Sequence, residues 1–196
     1  MSEQRNSTPK VGVITFTDGR DSFFDLPREN FLRQRHTELV EFLAANGCAV
    51  SDPMRDLRTD PDGWFGVRRY DEVAACVRTL QADGAECMIL CSHFWTPPML
   101  VIDVVREANL PTMLYTVDDP ALPGVVSISA VGASLHESGI NQHALQHERL
   151  RGAPERMLPW IRGASAVARM RKSAVMMWGG TYSLHMEHLQ DDIPAL

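Results

Sequence analysis

Short apolar runs separated by stretches of helical spacing constrain this chain more than any other feature. Val11-Gly-Val-Ile-Thr-Phe-Thr17 is brief and β-branched, and the turn-like Asp18-Gly19 follows at once, so it reads as a buried strand. Cys48-Ala-Val50, Cys87-Met-Ile-Leu-Cys91 and Pro111 to Val117 read the same way, and Val125 to Val131 reads as a fifth strand. A helix is expected from Glu29 to Asn46, where Leu32, Leu39 and Leu43 recur at helical spacing and Gly47 stands at the stop position. The next helix starts at Asp71 as N-cap, carries Val73, Cys76, Val77 and Leu80 on one face, and ends at Gly84. Thr96 is the expected cap of a third helix. Pro97 and Pro98 fall in its first turn, where backbone N–H groups lack helical partners anyway. Leu100, Val101, Val104 and Val105 form its inward face. Ser51 to Gly66 reads as a loop, and Ser134 with Glu137 forms a capping box that opens a long helix to Arg149.

Strands alternating with helices imply an α/β fold, an open parallel sheet with helices on both faces. Among Rossmann-like arrangements the small number of units favours the flavodoxin-like strand order. Residues 1–10 read as a disordered N-terminus and residues 11–151 as the α/β domain. Residues 152–196 read as a linker helix, from about Glu155 to Arg171, followed by the first strand and helix of a second, truncated α/β unit that opens with Ala174-Val-Met-Met-Trp178. One strand and one helix bury their apolar faces poorly, so the natural protein is expected to continue beyond Leu196.

The formal net charge is -6, which disfavours binding to nucleic acid or to an anionic membrane. No long apolar run is present, Met1 to Lys10 lacks the apolar stretch of a signal peptide, and a cytoplasmic location is the default expectation. Cys48, Cys76, Cys87 and Cys91 show neither a CxxC pair nor a zinc-ribbon spacing, and read as buried, reduced thiols.

Ligands of open parallel sheets collect beyond the carboxyl ends of the strands. Those positions hold Asp18-Gly19-Arg20-Asp21, Ser92-His93-Phe94-Trp95-Thr96, Asp118-Asp119-Pro120 and, in the next unit, Gly179-Gly180-Thr181-Tyr182. They are rich in groups that recognise sugars. Arg20 can donate a forked pair of hydrogen bonds and Trp95 can stack on C–H groups. An ion pair with Asp18 or Asp21 is the alternative role for Arg20, and half-buried packing is the alternative for Trp95. The G-x-G-x-x-G fingerprint, Walker A and G-x-S-x-G are all missing, which speaks against dinucleotide, nucleotide or serine-hydrolase chemistry. Histidines 136, 143, 147, 185 and 188 gather late in the chain. His143 and His147 are one helical turn apart, but Ala144 replaces the glutamate of a zincin, so a solvated helix face is preferred.

Val13-Ile-Thr-Phe-Thr-Asp-Gly-Arg20 resembles the first strand and Asp-Gly-Arg turn of L-fucose isomerases. Ser92-His-Phe-Trp-Thr-Pro-Pro-Met99 resembles a histidine-containing loop of L-arabinose isomerases, and its Trp95 parallels a tryptophan turn of the fucose enzymes. Ile140-Asn-Gln-His-Ala-Leu-Gln-His-Glu148 resembles the Asn-Gln-x-x-His-Gly helix of the arabinose enzymes. The resemblance runs from about Val11 to Trp178 and corresponds to the N-terminal part of a family member. It implies a manganese-dependent ketol isomerase that interconverts an aldose and a ketose, with the metal ligands in later domains. It further implies a homo-oligomer whose first domain reaches a neighbouring subunit's pocket. The substrate-binding residues it implies are Arg20 and Trp95, followed by His93 and Gln142, with no catalytic residue and no metal ligand in this chain. The rival expectation is a stand-alone sugar-binding or regulatory module, which would need neither metal nor downstream carboxylates.

Overall fold

The computed structural model describes residues 8–140 and 147–174. Five strands form one sheet: β1 (Lys10–Thr15), β2 (Ala49–Ser51), β3 (Cys87–Cys91), β4 (Thr112–Thr116) and β5 (His147–Arg151). The order is β2-β1-β3-β4-β5 and every pairing is parallel, the flavodoxin-like order expected from the sequence. The helices are α1 (Leu26–Ala45), α2 (Pro53–Leu57), α3 (Tyr70–Asp83), α4 (Pro98–Ala108), α5 (Gly124–Glu137) and α6 (Met157–Arg171).

Strand side chains alternate between two cores, as period-two geometry requires. Ile14, Phe16, Met88, Leu90 and Leu114 pack with Val73 and Leu80 of α3, Val101 and Val104 of α4, and Ile128 and Leu135 of α5. Val11, Val13, Ile89, Cys91, Met113 and Tyr115 pack on the opposite face with Leu39 and Leu43 of α1 and Met157, Ile161 and Ala164 of α6. In α1 the buried positions Glu29, Leu32, His36, Leu39 and Leu43 step by three and four, which is the helical stripe that drives it onto the sheet. Asp25 caps it by accepting the Arg28 N–H, and Gly47 follows its end at φ 81°.

The structure corrects several expectations. Val125–Val131 is not a strand but lies in α5, where Ser127, Ile128, Val131 and Leu135 turn inward at helical spacing. The helix from Ser134 ends at Glu137, and His147–Arg151 is the edge strand β5. His147 opens β5, and His143 lies outside the described residues. The loop from Ser51 contains α2, capped by the Asp52 carboxylate at the Met54 N–H. The third helix, α4, starts at Pro98 with Pro97 as its N-cap, while the Thr96 N–H donates to Ser127 Oγ of α5. The α3 helix starts at Tyr70, with Arg69 rather than Asp71 at the cap. The segment read as a linker helix is α6, and it covers the sheet of the first domain. Val175–Trp178, Gly179 to Tyr182 and the rest of the second unit lie outside the described residues.

Candidate functional site

Strand order reverses direction beside β1, because β2 lies on one side of it and β3 on the other. Loops leaving the carboxyl ends of such neighbours diverge and open a crevice. A cleft of about 390 Å³ lies there, lined by Asp18, Gly19, Arg20, Arg68, Trp95 and Pro97. Its walls therefore come from the segments after β1 and β3 and from the connection between α2 and α3.

A buried carboxylate holds that connection against the end of β1. Glu29, fully buried in the first turn of α1, accepts the Thr17 hydroxyl at 2.8 Å, the Phe65 N–H at 2.9 Å and the Gly66 N–H at 3.1 Å. Val67 bridges Phe16 in parallel register and adds two backbone hydrogen bonds, Thr17 N–H to Val67 O and Val67 N–H to Thr15 O. Arg58 donates to the Phe65 and Gly66 carbonyls and pairs with Glu72 at 2.9 Å. Glu72 also accepts the Arg68 and Arg69 N–H groups. Two glycines permit the close contact. A Cβ on Gly66 would lie 2.6 Å from the Thr17 nitrogen, and one on Gly19 would lie 2.9 Å from the Arg68 carbonyl oxygen.

On this platform Asp18 is buried and Arg20 is exposed. The Arg20 Nε donates to Asp18 Oδ1 at 2.9 Å and its Nη2 donates to Oδ2 at 2.5 Å. These bonds hold the Asp18 carboxyl below the usual carboxylate range, against burial, which acts to raise it. The guanidinium also lies 3.9 Å from the centre of the Phe23 ring. Arg20 is thus ion-paired to Asp18, and it also lines the cleft. Its Nη1 makes no hydrogen bond among the described residues. Trp95 stands 39% exposed on the opposite wall.

A family model described as "L-fucose isomerase, first N-terminal domain" matches residues 8–172. The chain belongs to the L-fucose isomerase family. No curated protein matches it.

Within this L-fucose isomerase domain, the remaining sequence candidates separate. His93 is 1% exposed and does not line the cleft. Its Nδ1 accepts the Val117 N–H at 3.2 Å, and its ring meets Phe31 and Tyr115 edge-on. Burial, with smaller contributions from Arg35 and His36, lowers its pKa to about 4, so it is neutral. It ties the end of β3 to the end of β4 from within the core. Gln142 lies outside the described residues. Cys76, Cys87 and Cys91 are buried free thiols pushed up to about 12 by burial, and Cys48 is half-buried. Among the described residues no cluster of three His, Cys, Asp or Glu side chains could hold a metal ion, and no helix is long and apolar enough to cross a membrane. Sequence reasoning missed Arg68 and Glu29. The sequence candidates lie in the loops after the first, third and fourth strands and after the strand of the second unit, whereas Arg68 lies on the connection that follows the second strand and α2.

Proposed function

We propose that this chain is the sugar-contacting N-terminal part of a ketol isomerase that interconverts an aldose and a ketose. The observation that supports it is the meeting of Arg20 and Trp95 in one cleft at the strand-order switch, in a chain of the L-fucose isomerase family. Arg20, held by Asp18, donates its uncommitted Nη1 hydrogens to sugar hydroxyl oxygens. Trp95 offers its face to the sugar's C–H groups. The reaction moves a proton between adjacent carbons and another between their oxygens through an enediol, with no net oxidation. A divalent metal, manganese in this reading, would supply Lewis-acid polarisation of the sugar; no cluster of three His, Cys, Asp or Glu side chains among the described residues could hold it, and in this reading its ligands would come from later domains. The chain alone is then inactive, and the pocket is completed by further domains and by a neighbouring subunit of a homo-oligomer. His93 supports the loop behind Trp95 rather than touching sugar.

The test starts from the intact mass of the protein as its own cell makes it, followed by manganese-dependent conversion of L-fucose by that form. Arg20→Ala is expected to raise KM about tenfold, the scale of a lost charge-assisted hydrogen bond, without unfolding the domain, although the melting temperature falls because the buried Asp18 carboxylate loses its partner. Unchanged turnover at limiting sugar removes Arg20 from the site. A complete protein that binds L-fucose without converting it would be a sugar-binding module instead.

A further inference from the structure

We infer that Arg68 is a second specificity-determining arginine of the cleft, donating to a different hydroxyl of the same sugar from the one Arg20 contacts. This rests on the reading of the cleft as a sugar site. Arg68 forms part of its wall and also lines the adjoining cleft, which holds Trp64 and Arg58. Its donors are largely unspent. Nη1 pairs with Asp21 at 3.3 Å, Nε is enclosed with no partner, and Nη2 has none among the described residues. Asp21 itself is 94% exposed, so that pair is solvent-screened and contributes little. Buried or half-buried polar groups usually find partners, and an arginine left this unsatisfied in a cleft wall is short of an acceptor.

The side chain is nonetheless well placed. Its Cζ lies 4.7 Å from the centre of the Trp64 ring, and Trp64 packs edge-on against Phe24 at 5.0 Å. The Arg68 backbone is held by Glu72 and packed against Gly19, so the Asp-Gly-Arg turn and Arg68 keep a set spacing. Asp18 orients Arg20, whereas Arg68 is placed by the Trp64 ring and by the bond of its backbone to Glu72. Two arginines on separate supports match a ligand with several neutral oxygen acceptors. A planar fork also reads the relative direction of hydroxyls better than a point charge does.

The experiment measures equilibrium binding of L-fucose, and of three analogues lacking the hydroxyl at C2, C3 or C4, to the complete protein. Wild type is compared with Arg68→Lys, Arg20→Ala and Trp95→Ala, and Arg68→Gln replaces Arg68→Lys if the latter lowers the melting temperature. Arg68→Lys is expected to weaken L-fucose binding about tenfold, with that penalty vanishing for one analogue, the signature of a direct contact. The analogue affected should differ from the one that silences Arg20→Ala. An unchanged L-fucose affinity in Arg68→Lys, or an equal penalty for all four sugars, overturns the inference while leaving the cleft intact. Failure of wild type to bind, or full binding by both Arg20→Ala and Trp95→Ala, overturns the sugar reading and this inference with it.

Discussion

The two ends of the sheet each carry a cleft, and the larger is the poorer candidate. At the amino end a space of about 550 Å³ opens between the end of α1 and α6, lined by Asn46, Gly47, Cys48, Ile161, Arg162 and Arg169 among others. Its Arg169 is tied to Glu86 through two nitrogens, at 2.6 Å and 2.9 Å. The smaller cleft at the carboxyl end has walls that three separate chain segments bring together around a buried carboxylate. Polar side chains held by packed backbone can recognise a ligand, whereas a gap between two helices mainly reports imperfect packing. Glu29, which fixes the carboxyl-end walls, is fully buried, whereas Glu86, which pairs with Arg169 at the amino end, is partly exposed, and that is the difference that matters.

Removing that carboxylate should have the largest effect. Glu29→Ala leaves the Phe65 and Gly66 N–H groups and the Thr17 hydroxyl without their acceptor, and leaves the half-buried Arg28 without its partner. A loss of about 3–5 kcal/mol is expected, measured by urea unfolding. The matching cut at the amino end, Arg169→Ala, breaks a partly exposed pair and should cost about 1 kcal/mol or less. Equal losses would erase the contrast between the two ends.

How much of this was legible in the sequence depended on which interaction decided each element. The inner strands were legible because Cys87-Met-Ile-Leu-Cys91 and its neighbours are buried on both faces and therefore uniformly apolar. Helix α5 was not, since Ser127 and Ser129 alternate with the apolar Val126, Ile128 and Ala130 as a strand would. The helical period appears only once Ser127 is known to be buried by its bond to the Thr96 N–H. Strand β5 was hidden for the opposite reason. It is an edge, its sequence His-Glu-Arg-Leu-Arg is charged, and it pairs only with β4. The same divide runs through the site. Arg20 sits in a local turn motif, so its place could be read directly. Arg68 reaches the cleft because contacts distant in sequence gather that segment, Glu29 at 36 residues from Phe65 and the Val67 bridge to Phe16 among them. Long-range contacts of that kind leave no local pattern.

Acid should sharpen the comparison by a smaller amount. The Asp18 carboxyl titrates below its ordinary range because Arg20 hydrogen-bonds to it. A group depressed in the folded state stabilises fully above its ordinary pKa, and that contribution disappears as pH falls from there through the lower folded value. Melting temperature measured down this acid limb should therefore fall less steeply in Asp18→Asn than in wild type. L-fucose affinity at neutral pH should weaken in Asp18→Asn, because the guanidinium of Arg20 loses the anion that orients it. Identical acid limbs would mean that Asp18 has no depressed pKa, and intact affinity would mean that Arg20 needs no orienting carboxylate.

The smallest expected effect has the opposite sign and separates the two ends by their glycines. At the carboxyl end, a methyl on Gly66 would lie 2.6 Å from the Thr17 backbone nitrogen, so that glycine is required for the strand contact that places Arg68. On α6, beside the amino-end space, a methyl on Gly163 would meet nothing within 4 Å among the described residues. Gly163 lies inside a helix, where glycine costs backbone entropy without any close approach to justify it. Gly163→Ala should therefore stabilise the domain by about 0.5–1 kcal/mol, read as a higher urea midpoint with an unchanged slope. It should leave sugar binding untouched, since α6 takes no part in the cleft lined by Arg20, Arg68 and Trp95. A destabilising result would show that the exposed face of α6 packs against something beyond the described residues, and the amino end would then have to be reconsidered as an interface.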